Sequence, residues 1–427
     1  MRLDTALTVF ILICASMVLF MTPGVAFFYG GLSRKKNVGN TIIMAFLAIG
    51  VCSVIWVISG YSIAFGYQFP ADSGDFIGQI IGGFDQLFLA GTDMTAAIET
   101  RVEGLPDMAF VLFQGAFCCI TVGIIVGSVS GRIKFGAIAA ILSVWVIVVY
   151  GPLAHMVWGG GLIGGTIGAL DFAGGDVVHI SSGVTGLVLA LLCGKRRGYG
   201  NANYRAHNTP LAAIGAALLW FGWMGFNGGS ALALDDGVAA LAMVNTLVAS
   251  GAAMISWMIV DKISTKHSTL VGAVTGLVAG LVVITPAAGF VEPWAALVMG
   301  LIVSPICYFA IAKLKAKLGY DDALDAFGCH GIGGIVGGIL TGIFCVPSLS
   351  WTDYGGLLYT GDPSLLLSQI SGILITIVFV AVATLVIGLI VKACFHGSLR
   401  VSEEEEARGM DIAVHGEDAY PAFDGMD

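Results

Sequence analysis

The stretch "DAFGCHGIGGIVGGILTGIF", residues 325–344, sets one histidine, His330, among glycines and aliphatics that suit a membrane interior. A second stretch, "GGDVVHISSGVTGLVLALL" at 174–192, repeats the arrangement around His179. An imidazole in hydrocarbon has to be hydrogen-bonded or put to use, because an unpaired polar group is expensive there. The rest of the chain decides between these.

Composition gives the class. Apolar residues are 57% of the chain and charged residues 11%, where a soluble domain carries about 25% charged. Uncharged runs of about 20 residues recur from end to end, each long enough to span a bilayer. Alternating ten-residue strands, the mark of a β-barrel, are missing. The sequence therefore predicts an all-α polytopic membrane protein. Its net charge of −9 says little about partners, since the charges lie in loops and in the tail. The 61 glycines are roughly twice the usual share and predict tight helix crossings. Gly334, Gly338 and Gly342 form one such stripe on the His330 helix. The nine cysteines lie mostly in apolar runs and show neither metal-finger spacing nor a disulfide framework.

Eleven spans are read, at roughly 5–30, 40–66, 107–129, 135–157, 177–194, 208–230, 237–260, 269–287, 292–314, 327–347 and 366–393. The first is too long for a signal peptide and its N-terminal charge is weak, so it is read as retained. Basic residues set the orientation. All lysines and arginines except Arg2 and Arg101 fall on one side if the N-terminus is outside. The opposite loops are acidic, with Asp72, Asp75, Asp85, Asp93, Glu99, Glu103, Asp107, Asp235 and Asp236. The expected topology is N-out, C-in.

Eleven spans divide as five, five and one. His179 sits early in an inward-running span and His330 early in an outward-running one, each ahead of a glycine-rich helix. Corresponding segments of opposite direction mark an inverted repeat, which places its site between the halves. The expected domain is 1–395, with repeats near 5–195 and 207–350, a peripheral last helix at 366–393, and a cytoplasmic tail at 396–427.

Two imidazoles meeting at the pseudo-twofold axis can share a proton and still offer a donor or acceptor to a small polar solute. A metal centre would need a third ligand, and Cys329 points about 100° away from His330 on a helix. No metal and no cofactor are expected. Phe113 and Phe117, four apart in "FQGAFCCITVG", share a helix face. Trp158 in "AHMVWGGG" ends one span at the outer surface, where an indole ordinarily anchors in the interface. Trp223, Phe226, Asn227 and Ser230 in "WFGWMGFNGGS" end another at the same surface. Together these aromatics and a hydroxyl compose a cage for an ammonium-type cation. Asp171, with Asp176 nearby, precedes the His179 helix, and Asp321, Asp322 and Asp325 precede the His330 helix. Capping the helix N-terminus is the first reading of both sets, with cation attraction at the mouth second for Asp171. Phosphate loops, nucleophile elbows and zinc-protease helices are lacking, so no enzyme and no nucleic-acid partner is read.

Over nearly its whole length the chain resembles the bacterial Amt branch of the Amt/Mep/Rh ammonium transporter family. The resemblance rests on "PGVAFFYGGLSRKKN" (23–37), "AHMVWGGG" (154–161), "LDFAGGDVVHISSG" (170–183), "GWMGFNGGS" (222–230), "DDALDAFGCHGIGGIVGGILTGIF" (321–344) and the tail "EEEEARGMDIAVHGEDAY" (403–420). It implies a homotrimer in the cell (inner) membrane, with one pore per subunit. It implies that Phe117, Trp158 and Ser230 recruit ammonium, with Asp171 the nearby acid and Phe113 outside that set. Phe117 and Phe226 match the stacked gate; Trp223, His179 and His330 match the pore lining. It also implies a PII-type regulator at the cytoplasmic face. The expected mechanism is recruitment of ammonium, deprotonation, and conduction of ammonia with separate proton transfer. A passive ammonia channel is the alternative. An ammonium sensor is the lesser one, because the chain leaves about 34 residues after its last span for a signalling domain.

Overall fold

The computed structural model describes residues 3–71, 75–92, 101–201 and 204–421. Arg2, Asp72, Asp93 and Glu99, which entered the charge reading, lie outside these. Among the described residues, ten helices are long and apolar enough to cross a membrane. They are α1 Thr5–Leu32, α2 Lys35–Phe65, α3 Asp107–Val129, α4 Phe135–Thr166, α5 Gly175–Cys193, α6 Thr209–Gly229, α7 Val238–Thr265, α9 Pro293–Leu318, α10 Phe327–Phe344 and α11 Ser364–Cys394. A shorter apolar helix, α8 Leu270–Ile284, completes the set, and α12 Glu403–Arg408 lies in the tail. Among the described residues there is no β-strand; one isolated bridge joins Ile133 to Arg400.

These segments are apolar on all sides, as helices in lipid or in a membrane core must be. Their ends are set by local chemistry. Asp4 caps α1 through Leu7 N at 2.9 Å, Asn208 caps α6 through Leu211 N at 2.9 Å, and Thr269 caps α8 through Gly272 N at 2.9 Å. Large aliphatic and aromatic side chains such as Ile13, Phe20, Val54, Leu374 and Val378 remain exposed on the outer helices. On a membrane protein that surface faces lipid or neighbouring subunits.

Several helix contacts and π-turns recur along the chain. α1 lies along α6, α3 packs on α5, and α8 packs on α10. Five-residue or six-residue π-turns interrupt α4 at Val146–Tyr150 and α9 at Ala310–Leu314, and open α5 at Gly175–Ile180 and α10 at Phe327–Gly331. Both histidines lie in the last pair. A π-turn widens the helix locally and is frequent at functional sites. The helices that carry the histidines touch backbone to backbone. A Cβ on Gly183 of α5 would fall 2.4 Å from Gly331 N and 2.6 Å from its Cα on α10. The glycine stripe of α10 is shared out: Gly334 faces the His179 turn, whereas Gly338 and Gly342 face α11.

At the end of the molecule that carries the basic loops, Arg196 forks onto Asp321 through Nε and Nη2, the shortest contact being 2.6 Å. Arg132, fully buried, donates to the Gly194 and Asp321 carbonyls. The tail closes over this layer. Ser402 and Glu405 form a capping box at α12. Glu406, 1% exposed, accepts from Arg197 N and pairs with Arg400. Lys36 donates to the Glu406 and Ala407 carbonyls, and Asp411 accepts from Gly39 N and Asn40 N at the start of α2. Over 403–415 the tail is thus part of the packed layer at this end of the molecule rather than a solvated appendage. Eight of the nine cysteines are buried thiols and Cys394 is exposed.

Two outcomes follow from this packing. Gly183→Val forces a branched side chain onto the Gly331 backbone; overpacking of this kind costs about 1–3 kcal/mol or more. The variant should unfold at a lower temperature in detergent, whereas Gly251→Ala, with nothing within 4 Å of its Cβ, should unfold with the wild type. Burial alone would push the Asp321 carboxyl up, but the Arg196 guanidinium bonded to it, with Arg132 nearby, holds it below its ordinary value of 3.8. Its stabilisation is therefore complete above that value and is lost as pH falls through the lower folded value. Asp321→Asn should remove this acid-sensitive component and, by stranding a buried guanidinium, destabilise the protein by about 3–5 kcal/mol at neutral pH. Thermal unfolding across the acid range reads both effects.

Candidate functional site

α3 sends Phe113 and Phe117 inward, with ring centroids 4.9 Å apart. Phe117 stacks on Phe226 of α6 at 4.1 Å and 20°, and meets Trp158 of α4 edge-on at 6.0 Å. Above this stack opens a cavity of about 490 Å³, lined by Phe113, Phe117, Trp158, Ser230, Gln114 and Trp351 among others. The indole of Trp158 is fixed: its Nε1 donates to the Asp171 carbonyl at 2.8 Å. Its ring face is therefore left for the cavity. The Ser230 hydroxyl donates to the Phe226 carbonyl at 2.8 Å, which leaves oxygen lone pairs for a donor in the cavity. Trp158, Phe117 and Ser230 do line one space, and Phe113, set apart from them in the sequence reading, lines it too.

Asp171 stands behind this wall. Its Oδ1 accepts from Gly174 N and Gly175 N at 2.8 and 2.5 Å, and its Oδ2 from Asp176 N and Val177 N at 2.8 and 3.3 Å. Four donors on one carboxylate at a helix start is capping carried to its limit. Gly174 makes room for the turn with φ of +119°.

Below the stacked phenyl rings come the two histidines. His179 is 1% exposed and His330 4%. Their Nδ1 atoms are 3.2 Å apart, so one ring donates and the other accepts. The His179 ring lies nearly parallel to Trp223 at 5.3 Å and to Phe226 at 6.2 Å. Trp223 is held by a hydrogen bond from Nε1 to Thr285 Oγ1 at 2.9 Å. The His179 Nε2 atom is enclosed and finds no partner in the protein. On the far side, His330, Cys329, Tyr29 and Asp325 line a second cavity of about 190 Å³. Cavity, stacked rings, imidazole pair and second cavity thus follow one another in a file.

The other acidic positions serve the fold. Asp322 Oδ2 caps α10 through Phe327 N at 2.7 Å, Asp321 pairs with Arg196, and Asp325 pairs with Lys315. Sequence reasoning passed over Gln114, Trp351 and Arg101 in the outer cavity, and Thr285 behind Trp223. Gln114 was legible as a lone amide inside an apolar span; Trp351 and Thr285 reach the site only through tertiary packing.

A buried file of aromatic rings and imidazoles with a cavity at each end thus runs through a bundle of apolar helices, the class of a polytopic membrane protein. The comparisons name the family. The model of the Ammonium Transporter Family matches residues 9–420. The chain is 48% identical to the ammonium transporter of Bacillus subtilis (strain 168) over 97% of its own length and 98% of that protein. Its fold is similar to the crystal structure of Saccharomyces cerevisiae Mep2, with a TM-score of 0.85 and 33% identity over 94% and 89% of the two chains. It is also similar to a solved protein described as Sensor Amt Protein, with a TM-score of 0.85 and 27% identity over 96% and 98%. The chain belongs to the ammonium transporter family, a family of multi-pass membrane transporters rather than enzymes.

Replacing Asp171 tests the wall of the outer cavity. Asp171→Ala leaves four buried N–H groups without an acceptor, each worth about 1–3 kcal/mol. The variant should lose most of its thermal stability in detergent, and Asp171→Asn, which keeps one carbonyl acceptor, should fall between.

Proposed function

We propose that the protein takes up ammonium by dividing it into ammonia and a proton. The observation that carries the reading is the vertical order of the file: an aromatic cavity, the 4.1 Å Phe117–Phe226 stack, and then a histidine pair at 3.2 Å. Ammonium sheds water in the outer cavity against Trp158 and Phe117, where a desolvated cation–π contact is worth about 2 kcal/mol, and donates to Ser230. An unpaired ion carried further would lose far more than it gains, because burying a charge in an apolar site costs many kcal/mol. Ammonium can leave its proton behind, and potassium cannot. Neutral ammonia then passes the rings of Phe117 and Phe226 and meets the free Nε2 of His179, which donates to it or accepts from it according to tautomer. The proton follows separately, through the imidazoles and transient water. Selectivity comes from the requirement to release a proton.

The same reading assigns the two repeats to 5–195 and 207–350, the N-terminus to the outside and the tail to the cytoplasm, in the cell (inner) membrane. The unbalanced basic loops support that orientation. It takes the working unit to be a homotrimer, with a PII-type protein as the regulator at the inner mouth. The packed tail over 403–415 gives such a partner an ordered surface to engage.

The purified protein in liposomes, pulsed with ammonium and with potassium on a sensor that reads charge movement, gives the test. Ammonium should evoke a current and potassium none. The double variant His179→Ala/His330→Ala should be silent or should newly pass potassium. Rapid internal alkalinisation without current would make the protein a passive ammonia channel. Binding without either signal would make it a sensor, the role named for one of its structural relatives.

A further inference from the structure

Arg101 is a charge that this mechanism leaves unexplained. With Arg2 it is one of the two basic residues that the loop pattern sets apart from all the others. It lines the outer cavity together with Phe117, Trp158 and Ser230, the residues the mechanism gives to a cation. A second cation in that space works against the first. Several contacts hold the guanidinium where it is. It donates through Nη2 to the Phe65 carbonyl at the end of α2. It lies over the rings of Phe65 and Tyr67 at 5.1 and 4.6 Å, and the Tyr61 hydroxyl stands beside it. Its Nε is enclosed and makes no hydrogen bond. Among the described residues the ion pairs engage Arg34, Arg196, Lys315 and Arg400, and Arg101 is in none of them.

A tether for the chain ahead of α3 needs only a donor for the Phe65 carbonyl, which a neutral amide supplies as well. What Arg101 adds is a charge that cannot be given up, because a guanidinium stays protonated in proteins. The protein's own cation thus takes one set of ring faces and leaves those of Trp158 and Phe117 for the substrate. Like charges in one site disfavour each other, and the partner that can lose its charge is pushed to do so. Here only ammonium can. In a cavity of about 490 Å³, two cations stand on the order of 10 Å apart, and at an effective dielectric of about 20 the second binds roughly tenfold more weakly. Asp107, at the start of α3, acts on the same Tyr61 hydroxyl and offsets part of this field. Ammonia carries no charge and is not affected. Potassium is weakened by the same factor as ammonium and has no neutral form to take.

We propose that Arg101 sets the acidity of ammonium bound in the outer cavity: its fixed charge makes the bound ion release its proton more readily and holds off cations that have no proton to release. The inference rests on the divided-transport reading above. Arg101 itself neither gives nor takes a proton, and it acts through space on the ion held by Trp158, Phe117 and Ser230. The proton passes from the ammonium N–H to water in the cavity, which leaves ammonia, and no other bond changes.

Proteoliposomes on the charge-reading sensor give the test, with Arg101→Gln and Arg101→Met as neutral variants and Arg101→Lys as the one that keeps the charge. In both neutral variants the ammonium concentration at half-maximal current should fall about three- to tenfold, and the maximal current should fall by about the same factor. Excess potassium should compete in these variants and not in the wild type. Arg101→Lys should keep half-saturation and maximal current within about twofold of wild type. Wild-type half-saturation in the neutral variants would overturn the proposal, and so would a lysine variant that behaves as they do. Neutral variants that unfold well below the wild-type temperature in detergent would mark Arg101 as a structural tether and overturn it as well. A wild type that carries no ammonium current would overturn the divided-transport reading itself, whereas the variants, read against a wild type that carries one, test Arg101 alone.

Discussion

Everything at the centre of the molecule depends on the contact of α5 and α10 at Gly183 and Gly331. Two helices normally stand 8–10 Å apart, and a Cβ at Gly183 would already lie inside the Gly331 backbone. Only because both positions lack side chains can imidazoles on the two helices come to 3.2 Å. The π-turns add the second condition. They widen the first turn of each helix and so aim His179 and His330 at each other instead of along their own axes. Remove either condition and the histidines become two unrelated buried bases.

Around that contact the chemistry is layered. The first cavity offers ring faces, the Ser230 hydroxyl, the Gln114 amide and the Arg101 guanidinium, and the middle offers a pair of imidazoles. The ion pairs gather at the end that carries the basic loops, where Arg196 holds Asp321, Arg132 donates to the Asp321 carbonyl and Arg400 holds Glu406. Fixed charge in the pore would trap a counter-ion; fixed dipoles and polarisable rings do not. Charge away from that layer includes Arg101, which lines the first cavity, and the Asp171–Asp176 turn, which is set behind the wall rather than in the file.

Much of this was legible in the sequence, for a definite reason. Lipid forces every span to read as an apolar run, so the helices announce themselves, and a histidine in such a run stands out. α8 is the instructive case: the run at 269–287 reads as a full span, but the helix ends at Ile284 ahead of Pro286 and is only 15 residues long. The site was legible where its residues are unusual for their surroundings, as with His179, His330 and Asp171. The pattern put Phe117 and Phe226 in one aromatic cage, but their pairing as a stacked gate came from the family resemblance, not from the pattern. Trp158 looked like an interface anchor because its hydrogen bond to the Asp171 carbonyl is a tertiary fact. Trp351 and Thr285 are invisible for the same reason.

The knitting of the tail to α2 sets an order of events during synthesis. The first turn of α2 receives its acceptors from Asp411, and Lys36 and Asn37 are tied to Glu406, Ala407 and Met410. These partners are more than 360 residues apart in the chain. A helix near the start of the chain therefore keeps an unfinished end until residues 406–411 have been made. A chain broken off after α11 would have all its spans and its histidine pair, and bare amides at Gly39 and Asn40. Closure of the tail is therefore the step that completes the fold at the end that carries the basic loops.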